Sequence, residues 1–192
     1  MKKYSNVIGI TGLPGAGKSF LTEQIGKATG IEVIDGDEIL ARLINLPTVK
    51  MLMGSKDKEV RLLDMMGRYR SVSLWNKVET ELLKIIGNQM IKNALKGGKP
   101  AIVDSAFLPE LSVAKKFSAN YLVEGDKKLR NLRFAEREGV SIDVARVNDE
   151  VVSGLVDYNK LKYNSVIRNQ ENSGVLGGVQ DIVDDINKSA MR

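Results

Sequence analysis

Apolar residues recur along this chain in short runs that alternate with longer amphipathic stretches. Short runs bounded by glycine, proline or acidic residues are typical of strands buried in a sheet, whereas the longer stretches have helical spacing. Because strand and helix signals alternate, the pattern favours a parallel sheet with helices on both faces. The predicted strands are residues 7–11, 31–34, 100–105, 121–124 and 165–167.

The stretches between these strands predict helices. One runs from Gly17 to about Thr29, where Gly30 ends it, and another covers about residues 179–188 near the end of the chain. Between the second and third strands the helical signal extends over residues 37–96. Its apolar positions, which we expect to face the core, are Trp75, Val78, Leu82, Ile85, Ile86, Met90 and Ala94.

The long helical stretch between strands two and three is more than a simple connection needs. We therefore predict a helical insertion over about residues 40–96, within a single domain that spans residues 1–192. A chain of 192 residues is long enough for one well-packed core and too short for two. Insertions at the carboxyl ends of parallel strands are where substrates bind, so we expect this one to hold a substrate.

The composition is that of a soluble globular protein, with 43% apolar and 28% charged residues. No apolar run approaches the roughly 20 residues needed to cross a bilayer. The start, Met1-Lys2-Lys3, leads into the first strand rather than into a cleavable signal. We therefore expect a cytoplasmic protein with no membrane partner, either a monomer or a small homo-oligomer.

The charged and reactive residues restrict the chemistry. The chain has no cysteine and no histidine, which excludes thiol and imidazole catalysis, so acid–base work falls to carboxylates, lysines or the substrate. A net charge of +5 suits an anionic ligand, either a nucleotide or a nucleic acid. Because the basic residues are dispersed and aromatics are few, the stacking surface of a single-strand binder is missing, and a nucleotide is favoured.

A glycine-rich motif follows the first strand and opens the first helix. Glycines let the backbone curl with its N–H groups inward, and the helix N-terminus adds partial positive charge, which together form a cradle for the phosphates of ATP. Lys18 would follow the transferred phosphoryl group as a point charge, and the Ser19 hydroxyl would bind Mg²⁺. The predicted nucleotide contacts are Gly12, Leu13, Pro14, Gly15, Ala16, Gly17, Lys18, Ser19 and Phe20.

Three carboxylates follow strands at the sheet edge where the glycine-rich loop is expected. Asp35 and Asp37 come after the second strand, and Asp104 ends the third. Asp37 is the candidate general base for an attacking hydroxyl, with helix capping as the alternative for it and for Asp35. Asp104 is a candidate Mg²⁺ residue or else a strand-end turn residue, and the choice between Asp35 and Asp104 as the metal residue stays open.

Three arginines recur at helical spacing after the fourth strand. Arg130, Arg133 and Arg137 stand at i, i+3 and i+7, so on a helix they share one face and repel one another unless an anion lies between them. A lid over about residues 126–150 that closes on the phosphates of ATP would explain this arrangement. The alternative is a solvated basic face.

At this point the residues resemble a known family, the dephospho-coenzyme A kinases, within the nucleoside-monophosphate-kinase-like group of P-loop kinases. The likeness lies in the glycine-rich loop, in Val33-Ile34-Asp35-Gly36-Asp37 and in Val103-Asp104-Ser105. It continues in the lid segment and in Val166-Ile167-Arg168-Asn169 near the expected adenine site. Further lid and third-strand positions that match are Glu110, Arg133, Arg137, Gly139, Ser141, Ala145, Arg146 and Val147.

The resemblance implies a doubly wound P-loop kinase fold with a five-stranded parallel sheet, a helical acceptor-binding insertion and a lid. It implies transfer of the γ-phosphoryl of Mg·ATP to the ribose 3′-hydroxyl of dephospho-coenzyme A, with Lys18, Asp37 and Arg137 as catalytic residues. Arg133, Arg137 and Asn169 would join the nucleotide contacts. Ser19, Asp104 and Asp35 would support the metal.

Some positions differ from the usual pattern of that family. Gly87-Asn88 stands where the substrate subdomain usually has a His-Pro pair, Gly36 replaces an alanine, and Glu150 replaces a lid glutamine. Because the substrate subdomain is affected, a kinase for a nucleoside, a nucleotide or another small hydroxylated acceptor stays open. So does an NTP-driven switch or nucleic-acid-stimulated ATPase, although arginines within the same chain favour a self-contained kinase.

Overall fold

The structure is a computed structural model, which describes residues 4–36, 74–169 and 173–190. The strands are β1 (Tyr4–Thr11), β2 (Glu32–Asp35), β3 (Ala101–Asp104), β4 (Phe117–Gly125) and β5 (Ser165–Asn169). The helices are α1 (Lys18–Thr29), α2 (Leu74–Ala94), α3 (Lys127–Glu138), α4 (Ile142–Leu155) and α5 (Ser173–Ala190). Short 3₁₀ turns lie at Leu95–Gly97, Leu108–Glu110, Ala114–Lys116 and Tyr158–Lys160.

The five strands form one parallel sheet in the order β2-β3-β1-β4-β5. Chain order and spatial order diverge on either side of β1, because β3 pairs with it on one side and β4 on the other. In open sheets of this kind ligands bind at the carboxyl ends of the strands, where such a reversal opens a crevice. The predicted α/β fold with a five-stranded parallel sheet is therefore confirmed.

Side chains of the strands alternate between two apolar layers. Ile8 and Ile10 point to the layer shared with α1 and α5, where Leu21, Ile25 and Ile182 are fully buried. Val7 points to the opposite layer, which includes part of α2. Burial on both faces explains why the central strands are continuous apolar runs rather than alternating ones.

The strand and helix bounds differ from the sequence predictions mainly where polar residues or glycines are used inside an element. β4 begins at Phe117 rather than residue 121, and within this extension Ser118 donates its hydroxyl to the Val7 carbonyl oxygen at 2.7 Å. α5 begins at Ser173 rather than residue 179, although it contains three glycines. One of them, Gly178, lies so close to Ile167 that a Cβ there would be 2.7 Å from Ile167 Cγ2.

The face of α2 that turns to the core only partly matches the prediction. Of the predicted positions with described side chains, Ile86 and Met90 are half-buried, whereas Ala94 is exposed and Ile85 is 63% exposed. Ile91 and, directly after the helix, Leu95 are buried instead. The Asn88 carbonyl oxygen joins this helix to the segment after β3 by accepting from the Val113 N–H at 2.8 Å. The side chains of the other predicted positions, Trp75, Val78 and Leu82, lie outside the described residues. Residues 37–73, which form most of the predicted insertion, also lie outside them.

None of the helices in the described part of the chain is long and apolar enough to cross a membrane.

Candidate nucleotide-binding site

The loop between β1 and α1 has the backbone of a tight cradle. Gly12, Gly15 and Gly17 have φ values of 152°, 75° and 101°, a region that residues with a side chain rarely adopt. The Ala16 N–H donates to the Leu13 carbonyl oxygen at 3.1 Å and closes the turn. Gly17 is then the residue from which α1 begins.

Two of these glycines are also required by space. A Cβ on Gly12 would collide with the carbonyl oxygen of Val123, and a Cβ on Gly15 would collide with the carbonyl oxygen of Arg130. Both obstacles are backbone atoms of β4 and α3, which cannot rotate away as a side chain can. The loop is therefore pressed against the elements that follow strand four.

The first turn of α1 presents the predicted charged and hydroxyl groups. Lys18 is only 6% exposed, and its Nζ lies 3.5 Å from the Leu13 carbonyl oxygen, so its ammonium group lies over the loop. Ser19 is exposed, and its carbonyl oxygen accepts from the Thr22 hydroxyl at 3.0 Å. Phe20 is 44% exposed on the same turn. These positions leave a helix N-terminus with a lysine and a hydroxyl beside it, the arrangement that binds phosphate.

Residues at the carboxyl ends of β4 and β5 contact the loop near Ala16. Asn169 is buried, and its side-chain amide donates to the Ala16 carbonyl oxygen at 2.8 Å. Gly125 lies beside them, since a Cβ built there would be 3.6 Å from the Ala16 Cα. Asn169, which the resemblance places near the adenine, thus also supports the loop itself.

Two of the predicted carboxylates lie at the same sheet edge as the loop. Asp35 and Asp104 are paired residues at the ends of β2 and β3, and Asp104 is also paired with Ile10 of β1. Asp104 is buried and Asp35 is exposed. The structure therefore brings together the strand ends that sequence reasoning assigned to the metal, with Asp104 next to the strand that leads into the loop.

Gly36 explains one departure from the family pattern. A Cβ at this position would lie 2.8 Å from the Ser105 Cβ and 3.0 Å from the Asp104 carbonyl oxygen. An alanine would force β2 and β3 apart at their carboxyl ends. The candidate base Asp37, which follows in the sequence, lies outside the described residues.

The residues present fit a magnesium ion held mainly by its nucleotide. Mg²⁺ prefers oxygen ligands, keeps several waters, and is usually bound through one or two carboxylates or hydroxyls plus substrate phosphates. The Ser19 hydroxyl and the Asp35 and Asp104 carboxylates supply donors of that kind at this edge. In the described ranges, acidic side chains do not gather in threes to hold an ion by themselves.

The three arginines of α3 have different surroundings. Arg130 donates to Asp149 of α4, with its Nη2 2.7 Å from Asp149 Oδ1, and to the Gly125 carbonyl oxygen. Arg137 is 55% exposed in its side chain, lies over the Phe134 ring and donates from its Nε to Glu138 at 2.9 Å. Arg133 is half-buried. Carboxylates of the chain itself therefore lie beside Arg130 and Arg137.

Asp149 is a residue that the sequence did not reveal. It stands 19 positions after Arg130 on the next helix, and no local motif connects the two. Its side chain is only 5% exposed. The antiparallel return of α4 along α3 brings the two residues together, and only the tertiary structure contains that information.

Helix α2 is joined to the segment after β3 through side chains. Asn88, at the position of the family's His-Pro pair, accepts from the Val113 N–H and the Ser112 hydroxyl and donates to the Lys84 carbonyl oxygen. All three of its hydrogen bonds link α2 with itself or with the segment after β3. The departure from the family pattern thus has a structural use.

Glu110 is a second link between the same regions. Its carboxylate accepts from Lys160 at 2.8 and 2.9 Å and from the Asp157 N–H at 3.0 Å, and it lies 3.3 Å from Lys84 Nζ. Burial pushes the pKa of the Glu110 carboxyl upward, but the hydrogen bonds from Lys160, Asp157 and Lys84 outweigh it and hold the pKa below its ordinary value of 4.5.

A cavity of about 630 Å³ lies at the opposite edge of the sheet, where the strands begin. Its lining includes Asn6, Tyr121 and Asp185. The Tyr121 hydroxyl donates to Asp185 at 2.7 Å, and burial together with this carboxylate raises the pKa of Tyr121 far above its usual value. The cavity is remote from the phosphate cradle, so we place the site at the loop, where the charged groups and backbone donors converge.

The sheet order, the glycine-rich loop and the lysine at the start of α1 together define a P-loop protein with a kinase-like fold. A family model described as an AAA domain matches residues 7–151. Because this match covers most of the chain, the protein belongs to that family. No protein with a curated function matches the sequence.

Several solved structures share the fold at low sequence identity. TT1252 from Thermus thermophilus has a TM-score of 0.64 at 17% identity, covering 93% of this chain and 96% of that one. A gluconokinase from Sinorhizobium meliloti 1021 has a TM-score of 0.56 at 15% identity, covering 96% and 97%. Shikimate kinase from Acinetobacter baumannii has a TM-score of 0.55 at 12% identity, covering 97% and 96%.

These likenesses establish the fold and not the acceptor. A dephospho-CoA kinase from Campylobacter jejuni is also similar, at 18% identity, but its TM-score of 0.49 is too low to distinguish it from the other kinases. The neighbours named as kinases differ in the acceptors that their names imply.

Proposed function

We propose that this protein is a kinase that transfers the γ-phosphoryl group of Mg·ATP to a hydroxyl group of a small acceptor. The observation that carries the proposal is the loop of three positive-φ glycines, set between a buried strand and a helix whose first residue is Lys18. Such a loop offers several backbone N–H groups and one ammonium group to a polyphosphate. The kinase-like fold around it supports transfer to an acceptor.

For the acceptor we propose dephospho-coenzyme A, phosphorylated at its ribose 3′-hydroxyl, which would complete coenzyme A biosynthesis. The support is the sequence resemblance at the loop, at Asp35-Gly36-Asp37 and in the lid segment, where Gly36 and Glu150 depart from the usual pattern. Small-molecule kinases of this fold differ mainly in the region that receives the acceptor, which here corresponds to the predicted insertion.

The reaction would proceed as an in-line displacement at the γ-phosphorus. The acceptor oxygen forms a bond to this phosphorus while the bond to the β-phosphate oxygen breaks, and ADP leaves with that electron pair. The hydroxyl proton passes to the carboxylate of Asp37. Bound Mg²⁺ supplies positive charge to the phosphate oxygens, with Ser19 and Asp35 or Asp104 as its protein partners.

Lys18 and Arg137 would neutralise the charge that develops on the transferred group. Lys18 is already over the loop, whereas Arg137 is exposed and forms an ion pair with the adjacent Glu138. Exposed ion pairs of this kind contribute little, so Arg137 can exchange Glu138 for phosphate at small cost. A lid that closes on ATP would bring it there.

The first test is ADP release from Mg·ATP with dephospho-coenzyme A, with a panel of nucleosides, nucleotides, shikimate and gluconate, and with no acceptor. Strong stimulation by dephospho-coenzyme A, with a product heavier by one phosphate group, would support both parts of the proposal. Stimulation by another compound alone would keep the kinase and replace its acceptor. Lys18→Ala should lower turnover by about 10²- to 10³-fold in either case, and normal turnover by Asp37→Asn would remove Asp37 as the base.

A different small acceptor is the second candidate, and Asn88 favours it. The resembling family usually has a His-Pro pair at this position. In this chain the Asn88 side chain accepts hydrogen bonds from the Val113 N–H and the Ser112 hydroxyl instead. Acceptor-independent hydrolysis that responds to DNA, RNA or a protein would instead indicate an NTP-driven switch or ATPase.

A further inference from the structure

Arg130 and Asp149 form a buried ion pair at the back of the phosphate loop. The Arg130 Nη2 and Nε lie 2.7 and 3.3 Å from Asp149 Oδ1. The two side chains are only 11% and 5% exposed. Lys127, whose side chain is 59% exposed, approaches the other carboxylate oxygen at 4.0 Å. The pair thus joins α3 to α4 in a place that water barely reaches.

The same arginine is connected to the loop in two ways, once through Gly125 and once directly through its own backbone. Its Nη1 donates to the carbonyl oxygen of Gly125, the last residue of β4, and Gly125 lies against Ala16. Its own carbonyl oxygen lies against Gly15, at the place where a Cβ would collide. One residue therefore contacts α4 with its side chain, the end of β4 with the same side chain, and the phosphate loop with its backbone.

We propose that Arg130 is a positioning residue for the nucleotide. Together with Asp149 it fixes the backbone of α3 against which the phosphate loop packs, and it thereby couples the loop to the α3–α4 hairpin. This inference rests on the proposed binding of ATP and adds a residue to that site. Arg130 does not need to touch ATP, because its guanidinium is already engaged by Asp149 and Gly125.

The guanidinium group suits this task better than an ammonium group. Its planar fork donates in two directions at once, here toward a carboxylate and a carbonyl oxygen, whereas lysine offers a single point charge. Loss of either partner of a buried pair leaves an uncompensated charge. The α3 backbone at Arg130 would therefore shift, and the effect would exceed the loss of one hydrogen bond. A small displacement of phosphate-binding groups is enough to weaken the binding of ATP.

The test measures Kd for Mg·ATP by calorimetry and KM and kcat with the best acceptor, for the whole chain and its variants. We expect Arg130→Gln and Asp149→Asn to raise Kd and KM for ATP by about tenfold, while kcat at saturating ATP changes by less than about threefold. Arg130→Lys should recover part of the ATP affinity. The double variant Arg130→Gln/Asp149→Asn should lose little more than either single variant, since both act through one pair.

The matched control is Arg146→Gln, which removes another ion pair of α4. The Arg146 and Asp143 side chains are 61% and 81% exposed, so their 3.2 Å pair should contribute nothing to ATP affinity. A purely structural role for Arg130 would lower the melting temperature and the active fraction, hence kcat, without changing KM for ATP. That result, or unchanged Kd in a folded Arg130→Gln, would overturn the inference.

The readouts separate this inference from the proposed function. If the unaltered chain binds no ATP, the proposed function fails together with the site. If it binds ATP and the two pair variants bind it equally well, only the positioning role fails. Bound ATP should also slow proteolytic cleavage within residues 127–155 of the unaltered chain and do so less in Arg130→Gln, because coupling acts in both directions.

Discussion

The phosphate-loop side and the α2 side of this protein are built in different ways. On the phosphate-loop side, the loop contacts backbone atoms: Gly12 lies against Val123, and Gly15 lies against Arg130. On the α2 side, the helix is joined to the segment after β3 through the side chains of Asn88 and Lys84. The first kind of contact depends on the absence of side chains and the second on their identity.

This difference predicts which parts of the fold tolerate substitution. Contacts made by backbone atoms are insensitive to most substitutions outside the loop, so the shape of the loop is robust. Contacts such as those of Glu110 with Lys84 and Lys160 depend on residues far apart in the chain, and each can be replaced separately. The α2 side is therefore where we expect relatives with this fold to differ most.

The largest effect should come from removing the charge at the cradle. Lys18→Ala should lower kcat by about 10²- to 10³-fold, as expected when one preorganised electrostatic donor is lost. The rate of ADP formation at saturating ATP gives kcat for both proteins, and circular dichroism shows whether the variant is folded. Lys18→Met is the control for packing, because Lys18 is buried and its chain of carbons fills space.

A smaller loss should follow when the shape of the loop is changed without changing its charge. Gly15→Ala should raise Kd for ATP about tenfold or more, because its φ of 75° and the nearby Arg130 carbonyl oxygen both oppose a Cβ. Gly30→Ala is the matched control, with a φ of 70° and open space around it. It should cost about 1 kcal/mol of stability and leave Kd unchanged. Equal effects on Kd would show that the backbone contact does not matter.

On the α2 side we expect an effect on stability that depends on pH. Glu110→Gln should lower the free energy of unfolding at pH 7 by about 1–3 kcal/mol, measured in urea. Because folding lowers the pKa of Glu110, its contribution is complete above the ordinary value of 4.5 and is lost as the pH falls through the lowered pKa. The difference between the two proteins should therefore shrink below about pH 4.5.

Glu81→Gln is the control for this experiment. Glu81 also pairs with Lys84, at 2.8 Å, but its side chain is 64% exposed. Removing its charge should change stability by less than about 0.5 kcal/mol at any pH. A difference between Glu110→Gln and the unaltered chain that stays constant down to pH 3 would contradict the buried-carboxylate account.

The smallest effect concerns the hydrogen bonds of one asparagine. Asn88→Ala should cost about 1–2 kcal/mol in thermal unfolding, because the Val113 N–H and the Ser112 hydroxyl lose their shared acceptor. Asn93→Ala, which removes an exposed bond to Gln89 on the same helix, should cost almost nothing. KM for ATP should be unchanged in both. A raised KM for ATP in Asn88→Ala would show that the two sides are not independent.

Much of the fold could be predicted because its signals are local. The apolar runs and the glycines at 12, 15 and 17 lie close together in the chain, and each restricts the local backbone to a few conformations. The observed strands differ from the predicted ones by a few residues where polar side chains such as Ser118 form hydrogen bonds inside the sheet. The core-facing side of α2 was predicted only in part, because contacts such as the hydrogen bond of Asn88 with Val113 join residues 25 positions apart.

The sequence by itself determined the sheet, the glycine-rich loop and the type of ligand that such a loop accepts, since these follow from neighbouring residues and steric limits. Only the tertiary structure decided which arginine is tied to Asp149, which neighbours crowd a Cβ at Gly36, and how Glu110 joins two lysines. Those pairings depend on which distant segments meet. In a parallel α/β sheet, that is settled by the order of the strands rather than by any short stretch of chain.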